Sequence, residues 1–246
     1  MKWSTAFSSA IGKKIIMGAT GLFLVLFLIV HCYINAMVFY NDGGATFNTL
    51  AHFMGTNVII RTIEIGLIAF LVWHAVLGLK LYFQNKARRR VGYAVNNRQQ
   101  TSRWYSRSMA LLGTLILLFL ILHLSAFWLP NRGNQLIEGE EIDLFQRMAE
   151  AFSNPLVVII YVLGCISLAW HLLHGFWSSM QTFGLTTHRY KGIIRGIGTA
   201  FSIIVPLIFA LMPIWFYGGA HGWFEMVPSV FHQQVVPAVL ETVPVH

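Results

Sequence analysis

The chain has 246 residues, of which 56% are apolar and only 11% are Asp, Glu, Lys or Arg. A water-soluble domain carries roughly a quarter charged residues, so this composition excludes an ordinary soluble enzyme and indicates a membrane protein. The net charge is +8, and the charges cluster between long apolar stretches.

Five apolar stretches follow one another, and each reaches the roughly 20 residues that a helix needs to cross the hydrocarbon core of a bilayer. We predict transmembrane helices over residues 15–39, 58–83, 107–129, 155–182 and 193–217. The first stretch follows Lys13 and Lys14, as in a secretory signal, but it exceeds the roughly 7–15 apolar residues of such a signal and lacks a clear small-x-small cleavage site. Residues 1–217 are therefore predicted to form one all-α membrane domain, and 218–246 an outer tail.

The basic residues predict the orientation of these helices. If the N-terminus lies inside, 14 of the 17 basic residues fall on the inner side. They are Lys2, Lys13, Lys14, Lys80, Lys86, Arg88, Arg89, Arg90, Arg98, Arg103, Arg107, Arg189, Lys191 and Arg195. Because inner loops carry the excess of Lys and Arg, the N-terminus is predicted in the cytoplasm and the C-terminus outside. The run "KARRR" directly follows a predicted membrane helix, so nucleic-acid binding is disfavoured, and anionic lipid or an acidic partner is the favoured contact.

Histidines are the most informative residues inside the apolar stretches. Four of the five predicted helices carry at least one, and ionisable residues within a membrane are costly and usually functional. They are His31, His74, His123, His171 and His174. The other five histidines fall in loops or the tail, where a solvated side chain is the favoured interpretation.

Their depths form two tiers. Counted at about 1.5 Å per residue from an asparagine near the outer end of each helix (Asn41, Asn131, Asn57 or Asn154), His31 and His123 lie roughly 12–15 Å deep, whereas His74 and His171 lie roughly 25 Å deep. His174 lies three residues deeper than His171 and matches no partner.

A weak internal repeat supports the same assignment. The stretch "FNTLAHFMGTN" (47–57) resembles "FQRMAEAFSNP" (145–155), and each precedes a helix with an H-x-x-x-G motif, "HAVLG" or "HLLHG". The repeat selects His171, rather than His174, as the counterpart of His74.

Two imidazoles at one depth suit a haem iron with two axial histidines, because neutral imidazole is a good iron ligand and ligation satisfies a polar ring in lipid. Gly78 and Gly175 lie four residues after His74 and His171, on the same helical face, where a missing side chain lets a flat macrocycle approach. Close helix packing is the alternative explanation of these glycines. Cys32 and Cys165 are interpreted as small apolar residues, and the chain has no C-x-x-C-H motif for covalent haem attachment.

Together these features resemble the dihaem cytochrome b membrane subunit of succinate:quinone oxidoreductases, in the class with one five-helix anchor. The resemblance extends to about residue 217. It is carried by His31, "FNTLAHFM", Glu64 with Ile65, "HAVLG", His123 and the H-x-x-x-G-F-W motif at His171. It implies two haem b groups, with His74 and His171 on the proximal one and His31 and His123 on the distal one.

The resemblance also implies partners and a location. A flavoprotein subunit that oxidises succinate or reduces fumarate, and an iron–sulfur subunit, join such an anchor at the inner face of a bacterial cytoplasmic membrane. This chain lacks their cofactor motifs, so its share is anchoring, haem binding and quinone chemistry, with menaquinone as the implied quinone. Some fumarate reductases of the family place a glutamate of a proton route two residues before the fourth ligand, and Ala169 stands there instead.

The quinone site is predicted near the outer ends of the helices, where a proton donor or acceptor is needed beside the electron exit. Glu64 lies roughly 10 Å deep, and Arg61, one turn away, is placed to pair with it. His52, in the preceding loop, is a weaker candidate. A purely structural Arg61–Glu64 pair is the alternative.

Other classes remain open at this point. The cytochrome b anchor of a hydrogenase or formate dehydrogenase shares buried histidines but usually has four helices. A di-iron membrane enzyme needs about eight histidines near the cytoplasmic surface, and a transporter needs no haem.

Overall fold

The structure, a computed structural model, describes residues 9–87 and 108–228, and the regular elements of these ranges are helical. The long helices are α1 (Ala10–Ala36, continued by a 3-10 turn, Met37–Tyr40), α3 (Val58–Ala87), α4 (Met109–His123), α7 (Pro155–Thr182) and α8 (Lys191–Ala220). The short helices are α2 (Ala45–Thr56), α5 (Leu129–Ile137) and α6 (Leu144–Phe152). The predicted contacts of Arg88, Arg89 and Arg90, and most of the predicted tail, lie outside the described residues.

Five helical segments within the described ranges are long and apolar enough to cross a membrane, which confirms the predicted fold class. They span Ala10–Tyr40, Val58–Ala87, Met109–Ile137, Pro155–Thr182 and Lys191–Ala220. The fourth has the predicted bounds. The first, second and fifth extend a few residues beyond the predicted bounds, because flanking polar and small residues can continue the helical hydrogen bonds although they do not contribute to the apolar pattern.

The predicted end of the third segment, at residue 129, is wrong. A π-helical turn over Leu124–Trp128 joins α4 to α5, and the helix continues to Ile137. Pro130 has no N–H to donate to the carbonyl of Ala126. Arg147 Nε donates to that carbonyl instead, at 3.1 Å, so the proline does not end the helix.

Large apolar side chains remain exposed along the long helices. Examples are Leu26 (63%), Ile65 (73%) and Leu111 (61%). Contiguous apolar surface of this kind is unfavourable in water and is the surface that lipid tails cover.

The chain divides into two compact units, each built from parts of several helices. The first unit comprises Met1–Ile29, Thr62–Leu118 and Gly164–Pro206, and the second comprises Val30–Arg61, Phe119–Leu163 and Leu207–His246. His74 and His171 thus belong to the first unit, and His31 and His123 to the second.

The second unit has a core of buried aromatic and apolar side chains. It contains Val38, Phe47, Phe145, Met148, Phe152, Tyr161, Met212 and Phe216. Phe145 packs on Gly44, whose backbone is left-handed (φ 81°) and where an added Cβ would overlap the phenyl ring. A glycine is therefore required both by the backbone conformation and by the close approach of the ring.

The two stretches of the internal repeat form equivalent elements. Each folds into a short helix, α2 or α6, that directly precedes a long one. Asn57 Oδ1 accepts from the Ile59 N–H at 3.0 Å at the start of α3, and Asn154 Oδ1 accepts from the Leu156 N–H at 2.9 Å at the start of α7. Capping by a side-chain oxygen explains why both long helices begin where they do.

Candidate functional site

The first unit brings His74 of α3 and His171 of α7 together. Their ring centroids lie 6.3 Å apart, with the rings inclined by 68°. His174 lies nearly one turn further along α7 and is half-buried. The imidazole that His74 meets is therefore that of His171, as the repeat predicts.

Helix backbones approach both rings closely. A Cβ added at Gly21 of α1 would lie 3.3 Å from His74 Cε1, and one at Gly113 of α4 would lie 3.7 Å from His171 Cε1. Neither glycine was singled out in the sequence, because no residue pattern reveals that a glycine on another helix faces a histidine ring.

The hydrogen bonds of the two rings differ. The hydroxyl oxygen of the buried Thr20 lies 3.1 Å from His74 Nδ1. In contrast, His171 Nδ1 is buried without a hydrogen-bond partner among the described residues.

The second unit brings His31 of α1 and His123 of α4 together, with ring centroids 5.9 Å apart and rings inclined by 86°. Asn35 Nδ2 donates to the backbone carbonyl of His31 at 2.8 Å and lies 3.3 Å from its Nδ1. Aromatic rings surround the pair. Phe119, Phe127 and Tyr161 have centroids 5.7, 5.6 and 6.0 Å from that of His123, and Phe209 lies 5.4 Å from His31.

Both pairs fit a metal held from two opposite sides. Two imidazoles that each bind one ion at about 2 Å hold their ring centroids roughly 6 Å apart. Packing of the imidazoles as aromatic rings allows the same distance. However, ring packing alone leaves a polar atom unsatisfied in each pair. His123 and His171 each bury an Nδ1 atom for which the described residues supply no partner, and an unsatisfied buried group of this kind costs about 1–3 kcal/mol.

The donor set is therefore two neutral nitrogen ligands per site in an apolar setting. Among the described residues, no group of three or more His, Cys, Asp and Glu is placed to hold a metal ion. Two ligands alone do not complete the coordination of a transition metal. The pairs instead suit an iron whose remaining positions are filled by a macrocycle.

The glycines predicted to admit a macrocycle are not explained by tight packing. A Cβ at Gly175 would meet no atom of the described residues within 4 Å, and one at Gly78 would meet Met17 Cε at 3.7 Å. The role predicted for Gly78 and Gly175 in haem binding stays a prediction.

Two of the three quinone-site candidates join a polar network in the second unit. His52 Nδ1 lies 2.8 Å from Glu141 Oε2. Gln135 donates to Glu141 and accepts from Arg132. Arg61 donates to the same Gln135 oxygen at 3.3 Å, so His52 and Arg61 are linked through α5 and the loop that follows it.

Sequence reasoning missed Gln135 and Glu141. It ended the third helix at residue 129 and so left both in an unassigned loop. The i, i+3 spacing of Arg132 and Gln135 was the available signal, because it places them on one face of a helix. Glu64 is half-buried on α3, and its pairing with Arg61 stays a prediction.

The comparisons with known proteins point to one family. The succinate dehydrogenase cytochrome b558 subunit of Bacillus subtilis (strain 168) is 31% identical over 165 residues, which cover 65% of this chain and 73% of that subunit. No family model matches the chain. No solved structure matches it significantly. At this identity and coverage, the family resemblance expected from the sequence is confirmed: the chain is a membrane protein that belongs to the family of succinate dehydrogenase cytochrome b558 subunits.

Proposed function

We propose that this chain is the membrane-anchoring, haem- and quinone-binding subunit of a succinate dehydrogenase or fumarate reductase complex. It passes electrons between an iron–sulfur subunit and quinone through two haem b groups. The observation that carries the proposal is the arrangement of four histidines as two facing pairs, one in each unit. The name of the relative, a cytochrome b558, supports it.

The histidines have separate roles in this proposal. His74 and His171 would hold the iron of the proximal haem, and His31 and His123 would hold that of the distal haem. A haem held by two histidines would supply one-electron transfer when bound. The residues around the rings keep the imidazoles oriented, and the aromatic side chains around His123 exclude water.

The proposed arrangement in the membrane follows the charge pattern. The five helices form a single anchor over residues 1–217 in the bacterial cytoplasmic membrane, with the N-terminus inside and the tail 218–246 outside. The flavoprotein and iron–sulfur subunits join at the inner face, and neither dicarboxylate chemistry nor nucleic-acid binding belongs to this chain.

The inner basic loop is the proposed docking surface. Replacing Arg88, Arg89 and Arg90 with Gln should reduce the amount of iron–sulfur subunit that copurifies with this chain. Replacing Glu138 and Glu140 with Gln serves as the control, because both acids lie on the proposed outer side. Equal recovery of the iron–sulfur subunit from the two variants would contradict docking at this loop.

Quinone, of the menaquinone type, is proposed to react near the outer ends of the helices. Glu64 exchanges protons with it, Arg61 tunes that carboxylate, and His52 is a weaker participant. The polar network from His52 to Arg61 supports this location, because it connects an exposed imidazole to the start of the helix that carries Glu64. An intramembrane carboxylate is a functional candidate in its own right.

A spectrum of the purified complex tests the proposal. The reduced-minus-oxidised visible spectrum should show b-type bands from two haems per chain, and succinate should reduce part of them under anaerobic conditions. A complex without haem would favour a transporter. If hydrogen or formate reduced the haem and succinate did not, the result would favour the anchor of another dehydrogenase.

A further inference from the structure

A buried hydroxyl lies against one of the four paired histidines. Thr20 of α1 is 4% exposed, and its Oγ1 lies 3.1 Å from His74 Nδ1. The same oxygen lies 2.8 Å from the Ile16 carbonyl and 3.2 Å from that of Met17. Among the described residues, neither His123 nor His171 has a partner at Nδ1, so His74 is distinguished from both.

The backbone fixes the direction of this hydrogen bond. A threonine hydroxyl has one hydrogen to donate and two lone pairs to accept with. The carbonyl of Ile16 can only accept, and it is the nearer of the two carbonyls, so it takes the hydroxyl hydrogen. The Thr20 oxygen is then left to accept, and His74 Nδ1–H is the donor.

This direction places the proton of a neutral His74 on Nδ1 and leaves the lone pair of Nε2 free for a metal. Gly21, on the same helix as Thr20, leaves room for the ring, because an added Cβ would lie only 3.3 Å from His74 Cε1. A hydrogen-bond acceptor beside the ring nitrogen that does not bind the metal fixes the tautomer of a metal-binding histidine and makes it a more basic ligand.

We propose that Thr20 is a positioning residue for the proximal haem: its hydroxyl orients His74 and lowers the reduction potential of that haem. The inference rests on the proposed haem function. A more basic axial ligand stabilises the oxidised iron, so loss of the hydroxyl makes the haem easier to reduce.

The test is a redox titration of the assembled complex carrying Thr20→Val, which removes the hydroxyl and keeps the side-chain shape. At the wild-type midpoint potential, the reduced-to-oxidised ratio of one haem should rise roughly tenfold, which is about 59 mV for one electron. The affected haem should be the one that His171→Ala removes. The other haem should titrate as in the wild type.

Two further variants separate positioning from loss of packing. Thr20→Ser keeps the hydroxyl and should retain the wild-type midpoint. Ser202→Ala removes another buried hydroxyl of the first unit, one that donates to the carbonyl four residues earlier at 2.6 Å, and it should shift neither haem.

The outcomes distinguish this inference from the function on which it rests. An unchanged midpoint in Thr20→Val, or an equal shift in Thr20→Ser, overturns the inference while two haems remain. If Thr20→Val assembles without the proximal haem, Thr20→Ser must keep it at the wild-type midpoint, and loss in both overturns the inference. A wild-type complex without haem refutes the proposed function itself.

Discussion

At the scale of single residues, each histidine pair joins two helices that are not consecutive in the chain, α1 with α4 and α3 with α7. This pairing could be predicted because it depends on position along helices. A rise of about 1.5 Å per residue is nearly constant, so counting from helix ends sorted His31 with His123 and His74 with His171. The structure brings those rings together. The count matched His123 with His31 although the end of its helix was misplaced, since it started from Asn131 and not from the end of the helix.

Partners of the rings could not be predicted. Thr20 is one polar residue in an apolar helix, and nothing in the sequence shows that it faces α3. Gln135 and Glu141 belong to a network whose members come from separate parts of the chain. Such contacts depend on how helices rotate about their axes, which a nearly uniform apolar pattern does not determine.

Replacement of Glu64 tests the proposed proton exchange with quinone. Glu64→Gln should keep both haems and the dye-linked succinate activity, but slow turnover with quinone roughly a hundredfold, because a general acid–base group is lost. Glu138→Gln, at an exposed acid on the proposed outer side, is the matched control and should leave quinone turnover unchanged. Unchanged quinone turnover in Glu64→Gln would leave this carboxylate with a structural role only.

At the scale of elements, the sequence predicted five long helices and missed the short ones. Long apolar runs identify membrane helices because length and composition alone decide them. The helices α2, α5 and α6 are short and mixed in polarity, and their order depends on tertiary contacts. One such contact joins Asn48 Nδ2 to Asp143 Oδ1 at 2.8 Å, across 95 residues of chain.

The start of α2 should be sensitive to acid. Burial raises the pKa of the Asp42 carboxyl, but hydrogen bonds from the Thr46 hydroxyl and from the N–H groups of Thr46 and Gly44 outweigh burial and hold the pKa below its ordinary value of 3.8. Because the folded pKa is the lower one, the stabilisation is complete above pH 3.8 and is lost as the pH falls through the folded pKa.

Hydrogen exchange checks this effect. In Asp42→Ala, which removes the acceptor oxygens, the protection of the first-turn amides of α2 at pH 6 should fall by about 1 kcal/mol, roughly fivefold. Protection corrected for intrinsic exchange should be constant in the wild type above about pH 4 and decline below it, and it should stay flat in the variant. Equal pH dependence in both proteins would show that Asp42 does not stabilise this helix start.

At the scale of the whole molecule, the proposed orientation depends on the positive-inside rule alone. It can be tested by cysteine labelling, because Cys32 and Cys165 are each only 6% exposed and give little background. In intact cells, an impermeant maleimide should label Glu140→Cys but not Thr187→Cys, and lysis should expose both. Labelling of Thr187→Cys alone from outside would reverse the orientation.

Family membership and fold class were within reach of the sequence, because the histidines inside apolar stretches and the five apolar runs can be recognised from the residue pattern alone. The division into two units, each with one histidine pair, was anticipated only as two tiers of depth. The aromatic core of the second unit was not foreseen, since Phe145 and Phe216 come from distant parts of the chain and their rings pack directly on each other, with centroids 5.2 Å apart.

The most direct test of the central claim is the haem content of complexes carrying His31→Ala, His74→Ala, His123→Ala, His171→Ala or, as the control, His174→Ala. Each of the first four variants should keep one haem, and the His174 variant should keep both. The His31 and His123 variants should keep the same haem, and the His74 and His171 variants should keep the other. The pairing would be contradicted if His174→Ala lost a haem while His171→Ala kept both. It would also be contradicted if the His31 and His74 variants lost the same haem.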